Sequence, residues 1–135
     1  MQVQPYLFFN GRCEEALDFY KKAIGANVKM LMRWKDSPDK TMCNESNAER
    51  VMHAQFQVGD TTILSSDGNQ EREAKFDGFA LTIGADNEAD ADKKFDALRQ
   101  GGEVIMPMSK TFFSPRFGML ADKFGVRWMV IVPQH

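Results

Sequence analysis

Residues 111–132 read TFFSPRFGMLADKFGVRWMVIV, and the fold follows from how this stretch turns back on itself. The spacing predicts one strand over 117–121 and a second over 126–132, joined by the turn DKFG at 122–125. An Asp opening a turn accepts backbone hydrogen bonds, and a Gly closing it tolerates positive φ. The second strand alternates. Val126, Trp128, Val130 and Val132 fall on one face, and Arg127, Met129 and Ile131 on the other. An apolar face centred on Trp needs a large partner, here expected to be a helix. The opposite face is then free to line a cavity.

Working outward, 104–108 reads as a strand. It follows a helix capped by Asp86-Asn87, with Ala91, Phe95 and Leu98 on its inner face and Gly101-Gly102 at its end. A further strand over 78–85 opens this unit. The first half of the chain has the same grammar. A strand at 2–9 leads through Asn10-Gly11 into a helix reaching Ile24, with Glu14 and Glu15 in its first turn and Gly25 after its end. Ala16, Leu17, Tyr20 and Ile24 form its apolar stripe. A strand at 27–35 precedes a polar, turn-rich loop at 36–50, expected to be mobile. A hairpin, 51–58 with 61–66, bends at Gly59-Asp60 in a type II′ turn. A second polar connection occupies 67–77. Phe19, Gly25 and Val28 recur as Phe95, Gly101 and Val104, 76 positions later, and the helix starts Asn10 and Asp86 keep that offset. The expectation is an α+β domain over 1–135 built from two βαβββ modules, about 1–67 and 78–135.

The 135 residues suffice for one domain with a proper core. A net charge of −2 and no basic stripe argue against a nucleic-acid partner. No apolar run is long enough to span a bilayer, and MQVQPYLFF lacks the pattern of a signal peptide. Cys13 and Cys43 form no CxxC and are read as reduced thiols of a cytoplasmic protein. Cys13 stands near a helix N-terminus, where a thiol can be acidified, but is read as an ordinary packed thiol. Nine Met and eleven Phe suit a deformable apolar pocket as well as a core.

Alternation places His53, Gln55 and Gln57 on one face of the first hairpin with Thr62, Leu64 and Ser66. Met52, Ala54, Phe56, Val58 and Ile63 form the helix-facing side. His53 is either a general base or hydrogen-bond partner for a ligand, or a histidine held for structure. Asp67 either orients His53 or caps a turn. Arg127, on the face of Met129, either clamps an anionic group or sits in water at a rim. Phe112 and Phe113 precede Ser114-Pro115; one is expected to plug the core, the other to remain available to close over a ligand.

Several motifs together carry a family resemblance. They are Pro5-Tyr6-Leu7, Gly11 before Glu15-Ala16, Phe19-Tyr20, His53-Ala54, Ser66-Asp67 and Gly78-Phe79. The last is the run Phe112, Phe117-Gly118, Asp122, Phe124-Gly125 and Trp128. The chain resembles the PhnB-like family of the vicinal-oxygen-chelate superfamily, which includes glyoxalase I, bleomycin-resistance proteins and extradiol dioxygenases. The resemblance implies a curved, mostly antiparallel half-barrel with helices on its convex side, a ligand-binding cup and a homodimer. It also implies four metal-ligand positions on strands, which in this chain fall at Pro5, Leu64, Phe79 and Met129. None of these side chains suits a hard or borderline divalent ion, so no metal or other cofactor is expected. The PhnB-like family is also associated with a ubiquinone-pathway methyltransferase. The chain has no glycine-rich loop between a strand and a helix near its start, so no S-adenosylmethionine site is expected. The expected activity is metal-free binding of a small molecule of unknown identity. Gln55, Leu64, Ser66, Phe79, Phe113, Arg127 and Met129 are its expected contacts. The alternatives are a metal-independent lyase or isomerase using His53 with Asp67, and an interaction module whose dimer is its purpose.

Overall fold

The computed structural model describes residues 1–68 and 74–134. Its strands are β1 (Tyr6–Phe8), β2 (Asn27–Arg33), β3 (Val51–Val58), β4 (Thr61–Ser66), β5 (Leu81–Gly84), β6 (Glu103–Ser109), β7 (Phe117–Ala121) and β8 (Arg127–Ile131). Its helices are α1 (Cys13–Ile24) and α2 (Glu88–Leu98), with a 3-10 turn at Trp34–Asp36. Contacts divide the chain into two compact units, Met1–Ala74 and Lys75–His135. The polar connection expected at 67–77 falls partly on 69–73, outside the described residues.

In the first unit the strands hydrogen-bond in the order β1-β4-β3-β2, and in the second in the order β5-β8-β7-β6. Each unit is therefore a βαβββ module with one parallel pairing, first strand to last, and two antiparallel pairings. The repeat extends to irregularities. A register shift lies between Val28 and Met30 in β2, and another between Val104 and Met106 in β6, again 76 positions apart. Gly25 and Gly101 both take positive φ, 68° and 75°, which lets the chain leave a helix and turn into the next strand.

The first core lies between α1 and one face of its sheet. Cys13, Ala16, Leu17 and Tyr20 are buried with Leu7, Ala54, Phe56 and Ile63. The Tyr20 ring stacks on Phe56 at a centroid distance of 5.7 Å. In the second unit α2 lies over β7 and β8, burying Ala91, Phe95 and Leu98 with Leu120, Val126, Trp128 and Val130. The helix expected to cover Trp128 is thus α2. Each of the larger aliphatic or phenyl side chains among them, such as Leu17, Phe56 or Leu120, contributes about 1.5–3 kcal/mol on leaving water.

Two buried aspartates tie these cores to the backbone. Asp122 Oδ1 accepts the N–H groups of Phe124 (2.9 Å) and Val126 (3.1 Å), and its Oδ2 accepts the indole N–H of Trp128 (2.8 Å). The turn and the largest core side chain therefore share one carboxylate. In the first unit, Asp67 Oδ1 accepts from Gly11 and Cys13, each at 2.8 Å, and Oδ2 from Val51 at 2.7 Å. This explains why α1 begins at Cys13 and not at Asn10-Gly11. Asn10 and Gly11 have positive φ, 49° and 95°, and their turn delivers N–H groups to Asp67 instead of starting the helix. In the second unit α2 is capped by its own Asn87, whose side chain accepts from Asp90 N at 2.8 Å.

The first strand of each module is shorter than its sequence predicts. β1 spans three residues and β5 four, and each pairs on one side only. The segment 36–50 holds itself through local bonds. Asn44 accepts from Ser46 and Asn47, and Asn47 donates to Met42. Edge strand β6 leaves Val104, Ile105 and Met106 exposed. No helix among the described residues is long and apolar enough to cross a membrane.

Removing either buried carboxylate leaves three N–H donors without their partner. We expect Asp67→Ala and Asp122→Ala each to cost about 3 kcal/mol, lowering Tm by about 10 °C. Asp77→Ala, which removes an exposed ion pair with Arg127 (3.4 Å), should cost under about 1 kcal/mol. Thermal unfolding by circular dichroism measures all three.

Candidate functional site

The sheet face of the first unit opposite α1 carries the polar candidates. Ladder register arranges it in rows. Tyr6 of β1 stands beside Leu64 of β4, Leu64 beside Gln55 of β3, and Gln55 beside Met30 of β2. In the neighbouring row Phe8 pairs with Ser66, and His53 with Met32. Tyr6 and His53 belong to strands separated by β4, about 9–10 Å apart at the backbone. The Tyr6 phenol spans that gap, and its oxygen lies 3.1 Å from His53 Nδ1. Their ring centroids are 5.6 Å apart, and Tyr6 lies 4.7 Å from Phe8. The other imidazole nitrogen, Nε2, is 3.4 Å from the amide nitrogen of Gln55. Tyr6 and Phe8 stay 37% and 56% exposed, so the cluster is reachable from solvent.

The structure thus brings together His53, Gln55 and Leu64, and adds Tyr6, Phe8, Met30 and Met32. Sequence reasoning missed Tyr6 as a site residue. Its signal was present, since a tyrosine in a first strand that pairs with β4 must share a face with Leu64, but the strand pairing had to be known first. Asp67 and Ser66 each make other hydrogen bonds. Asp67 is 4% exposed and its carboxylate is taken by three backbone N–H groups, so of its two sequence readings the capping role is the one the contacts display. Ser66 is 2% exposed and its hydroxyl accepts the N–H of Gly68 at 3.0 Å, a local turn bond.

The second unit presents a different row: Thr82, Met129, Met119 and Met106. The Thr82 hydroxyl lies 3.8 Å from the Met129 sulfur. Arg127 pairs with Asp77 and is partly exposed. Phe113 packs edge-on against Phe117 at 5.1 Å, while Phe112 is 94% exposed. Phe79 precedes β5 and lies against Phe76, 6.4 Å between ring centroids. A separate cavity of about 320 Å³ lies in this unit, lined by Asp92 and Phe95 of α2 and by Arg99, Val104, Met108 and Arg116 among others. Arg116 is held there by both oxygens of Asp92, at 2.8 and 3.3 Å. Gly118 is a glycine for a packing reason: an added Cβ would lie 2.5 Å from the Met108 sulfur and 2.9 Å from the Phe95 ring.

Register also shows which first-strand residues stand beside the last strand of each module. The first-strand residues facing the last strand of each module are Tyr6, beside Leu64, and Thr82, beside Met129. Pro5 and Phe79 lie just outside the strands. In the first unit these paired residues offer a phenol and an isobutyl group, and in the second a hydroxyl and a thioether, none of them a usual ligand for a divalent cation. Among the described residues no three His, Cys, Asp or Glu side chains form a metal-sized cluster.

The comparisons with known proteins agree with this architecture. A family model described as 3-demethylubiquinone-9 3-methyltransferase matches residues 1–131. The chain belongs to this PhnB-like family. Protein YjdN of Escherichia coli strain K12 is 29% identical over 98% of this chain and 95% of its own length. The crystal structure of PA1353 from Pseudomonas aeruginosa is 34% identical, covers 100% of this chain and 99% of that one, and superposes with a TM-score of 0.88. The PhnB protein of Bacillus cereus is 25% identical over 98% of this chain and 99% of its own, at a TM-score of 0.81. The fosfomycin resistance protein FosX of Mesorhizobium loti is 12% identical over 99% of this chain and 92% of its own, with a TM-score of 0.66, a likeness of fold alone. This PhnB-like chain therefore has the glyoxalase-type fold that its repeated module indicated.

The helix N-terminus does not activate Cys13. The thiol is fully buried, 3.5 Å from the Ser65 hydroxyl, and burial pushes its pKa from 9.0 up to about 12, against the lowering effect of the Ser65 contact. The folded protein should therefore yield one titratable thiol, Cys43, with a disulfide reagent at neutral pH, and two in denaturant. Folded and unfolded states both keep the Cys13 proton below about pH 9. Above it only the unfolded thiol ionises, so stability should fall between about pH 9 and about pH 12. In Cys13→Ala that component is absent, which paired alkaline denaturation curves can measure.

Proposed function

We propose that this PhnB-like protein binds a small organic molecule on the open sheet face of its first unit, without a metal. The observation that carries this reading is the cluster Tyr6–His53–Gln55. It is a solvent-reachable group of hydrogen-bonding side chains flanked by the apolar Leu64, Met30, Met32 and Phe8. A few convergent polar groups in an adaptable apolar surround are what a small-molecule site needs. The residues at the superfamily's chelating positions support the metal-free part. A second reading, a lyase or isomerase using His53 as base, draws on the same imidazole and needs a partner other than Asp67. Self-association is a further proposal, supported by the exposed Val104, Ile105 and Met106 of edge strand β6.

The family's methyltransferase description is not carried over. Binding a nucleoside cofactor at a helix N-terminus needs free N–H groups there. At α1 the N–H of Cys13 is committed to Asp67, at α2 that of Asp90 is committed to Asn87, and neither helix is preceded by a glycine-rich loop.

A thermal-shift screen of small aromatic and carbonyl compounds tests the reading. Compounds that raise the wild-type Tm should lose at least tenfold in affinity in Leu64→Arg, which places a cation in the centre of the row. Binding untouched by that change, or elemental analysis finding one tightly held divalent ion per chain, would sink the proposal.

A further inference from the structure

The two helices sit differently on their sheets. α1 packs over β2 and β3, whereas α2 packs over β7 and β8, one strand further from the free edge. The matched residues Val28 and Val104 record the difference. Val28 stands beside Phe56 and Val104 beside Leu120, so each shares a face with a fully buried core residue. Val28 is half-buried, but Val104 is 39% exposed. The part of β6 that α2 leaves uncovered lines the cavity of about 320 Å³ in the second unit. That volume falls at the lower end of small-molecule sites, which run from about 300 to 1,000 Å³.

One wall of the cavity is a stripe along α2. Asp92, Phe95, Asp96 and Arg99 follow one another at i, i+3, i+4 and i+7, so they share one side of the helix over about 10 Å. Phe95, Val104, Pro107 and Met108 supply the apolar lining. The charged lining is balanced, two aspartates against two arginines. Arg116 donates Nε–H and Nη2–H to Asp92, and Arg99 donates Nε–H to Asp96 at a long 3.3 Å. Among the described residues no partner takes the Nη1 hydrogens of Arg116 or the Nη1 and Nη2 hydrogens of Arg99. Each carboxylate oxygen that accepts one of these bonds keeps a further lone pair.

We propose that this cavity binds a free α-amino acid with an apolar side chain. The balance of charge selects the class. A simple organic anion would meet two aspartates, and a simple organic cation two arginines. A zwitterion finds a partner for both of its ends. Its carboxylate accepts from the unused guanidinium hydrogens, and its ammonium donates to Asp96, whose own ion pair is long and exposed. Its side chain covers Phe95, Val104, Pro107 and Met108, in place of the helix that covers the matching strand of the first unit. The site shares no residue with the Tyr6–His53–Gln55 cluster, so the two readings stand or fall separately.

The test is a titration of the ¹⁵N-labelled full chain with L-leucine and with L-phenylalanine, followed by amide correlation spectra. Saturable shifts should appear with a Kd of about 1 mM or tighter, the range open to so few ligand atoms. They should concentrate in residues 92–99 and 104–108. L-leucinamide lacks the carboxylate, N-acetyl-L-leucine lacks the ammonium and glycine lacks the apolar side chain; each should bind at least tenfold more weakly than L-leucine. Asp96→Asn should weaken L-leucine at least tenfold while leaving Tm within about 2 °C of wild type, because an exposed ion pair contributes little to stability. Leu64→Arg, in the first unit, should leave L-leucine binding unchanged. No saturable shift with either amino acid at about 10 mM, ten times the weakest expected Kd, overturns the proposal. So does equal binding of leucinamide or N-acetyl-leucine, wild-type affinity in Asp96→Asn, loss of binding in Leu64→Arg, or a set of shifts centred on Tyr6, His53 and Gln55.

Discussion

The Asp67 carboxylate accepts backbone N–H groups from Gly11, Cys13 and Val51, and its carbonyl accepts from Arg50 at 3.0 Å. One side chain thereby joins the end of β4, the start of β3 and the turn between β1 and α1. A buried charge is costly unless satisfied, and here three donors satisfy it. Because the turn after β1 is pinned, β1 runs parallel to β4 in the register that sets Tyr6 beside Leu64. That register is what lets a phenol on one strand reach an imidazole two strands away.

The second module reaches the same topology by other means. At the end of β8, Val132 N donates to Arg116 O, as Asp67 N does to Val51 O at the end of β4. Val132 has no carboxylate, and α2 depends on Asn87 for its cap. The buried acid moves to the hairpin, where Asp122 serves the turn and Trp128 together. Duplicated topology therefore does not require duplicated contacts. Each module needs a satisfied helix start and a closed sheet, and different side chains supply them.

The open faces diverge further. The row that is Tyr6, Leu64, Gln55 and Met30 in the first unit is Thr82, Met129, Met119 and Met106 in the second. One is a hydrogen-bonding row, the other a band of thioethers. The same strand pairing is kept in both modules while the residues at these positions change completely.

Local pattern was enough for much of this. Alternation placed both hairpins to the residue or within one, and put Trp128 on the buried face. The 76-residue offset pointed to two modules because helix punctuation and apolar spacing are short-range signals. His53 and Gln55 were assigned to the open face by the same alternation. Strand pairing between β1 and β4 is a contact over nearly sixty positions, and no local pattern encodes it. Tyr6 could not be joined to His53 without it. Asp67 and Ser66 looked like ligands' partners in the sequence because an acid or a hydroxyl beside a strand reads the same whether it faces solvent or backbone. Only folding decides which donors surround it, and here backbone N–H groups reached both residues first.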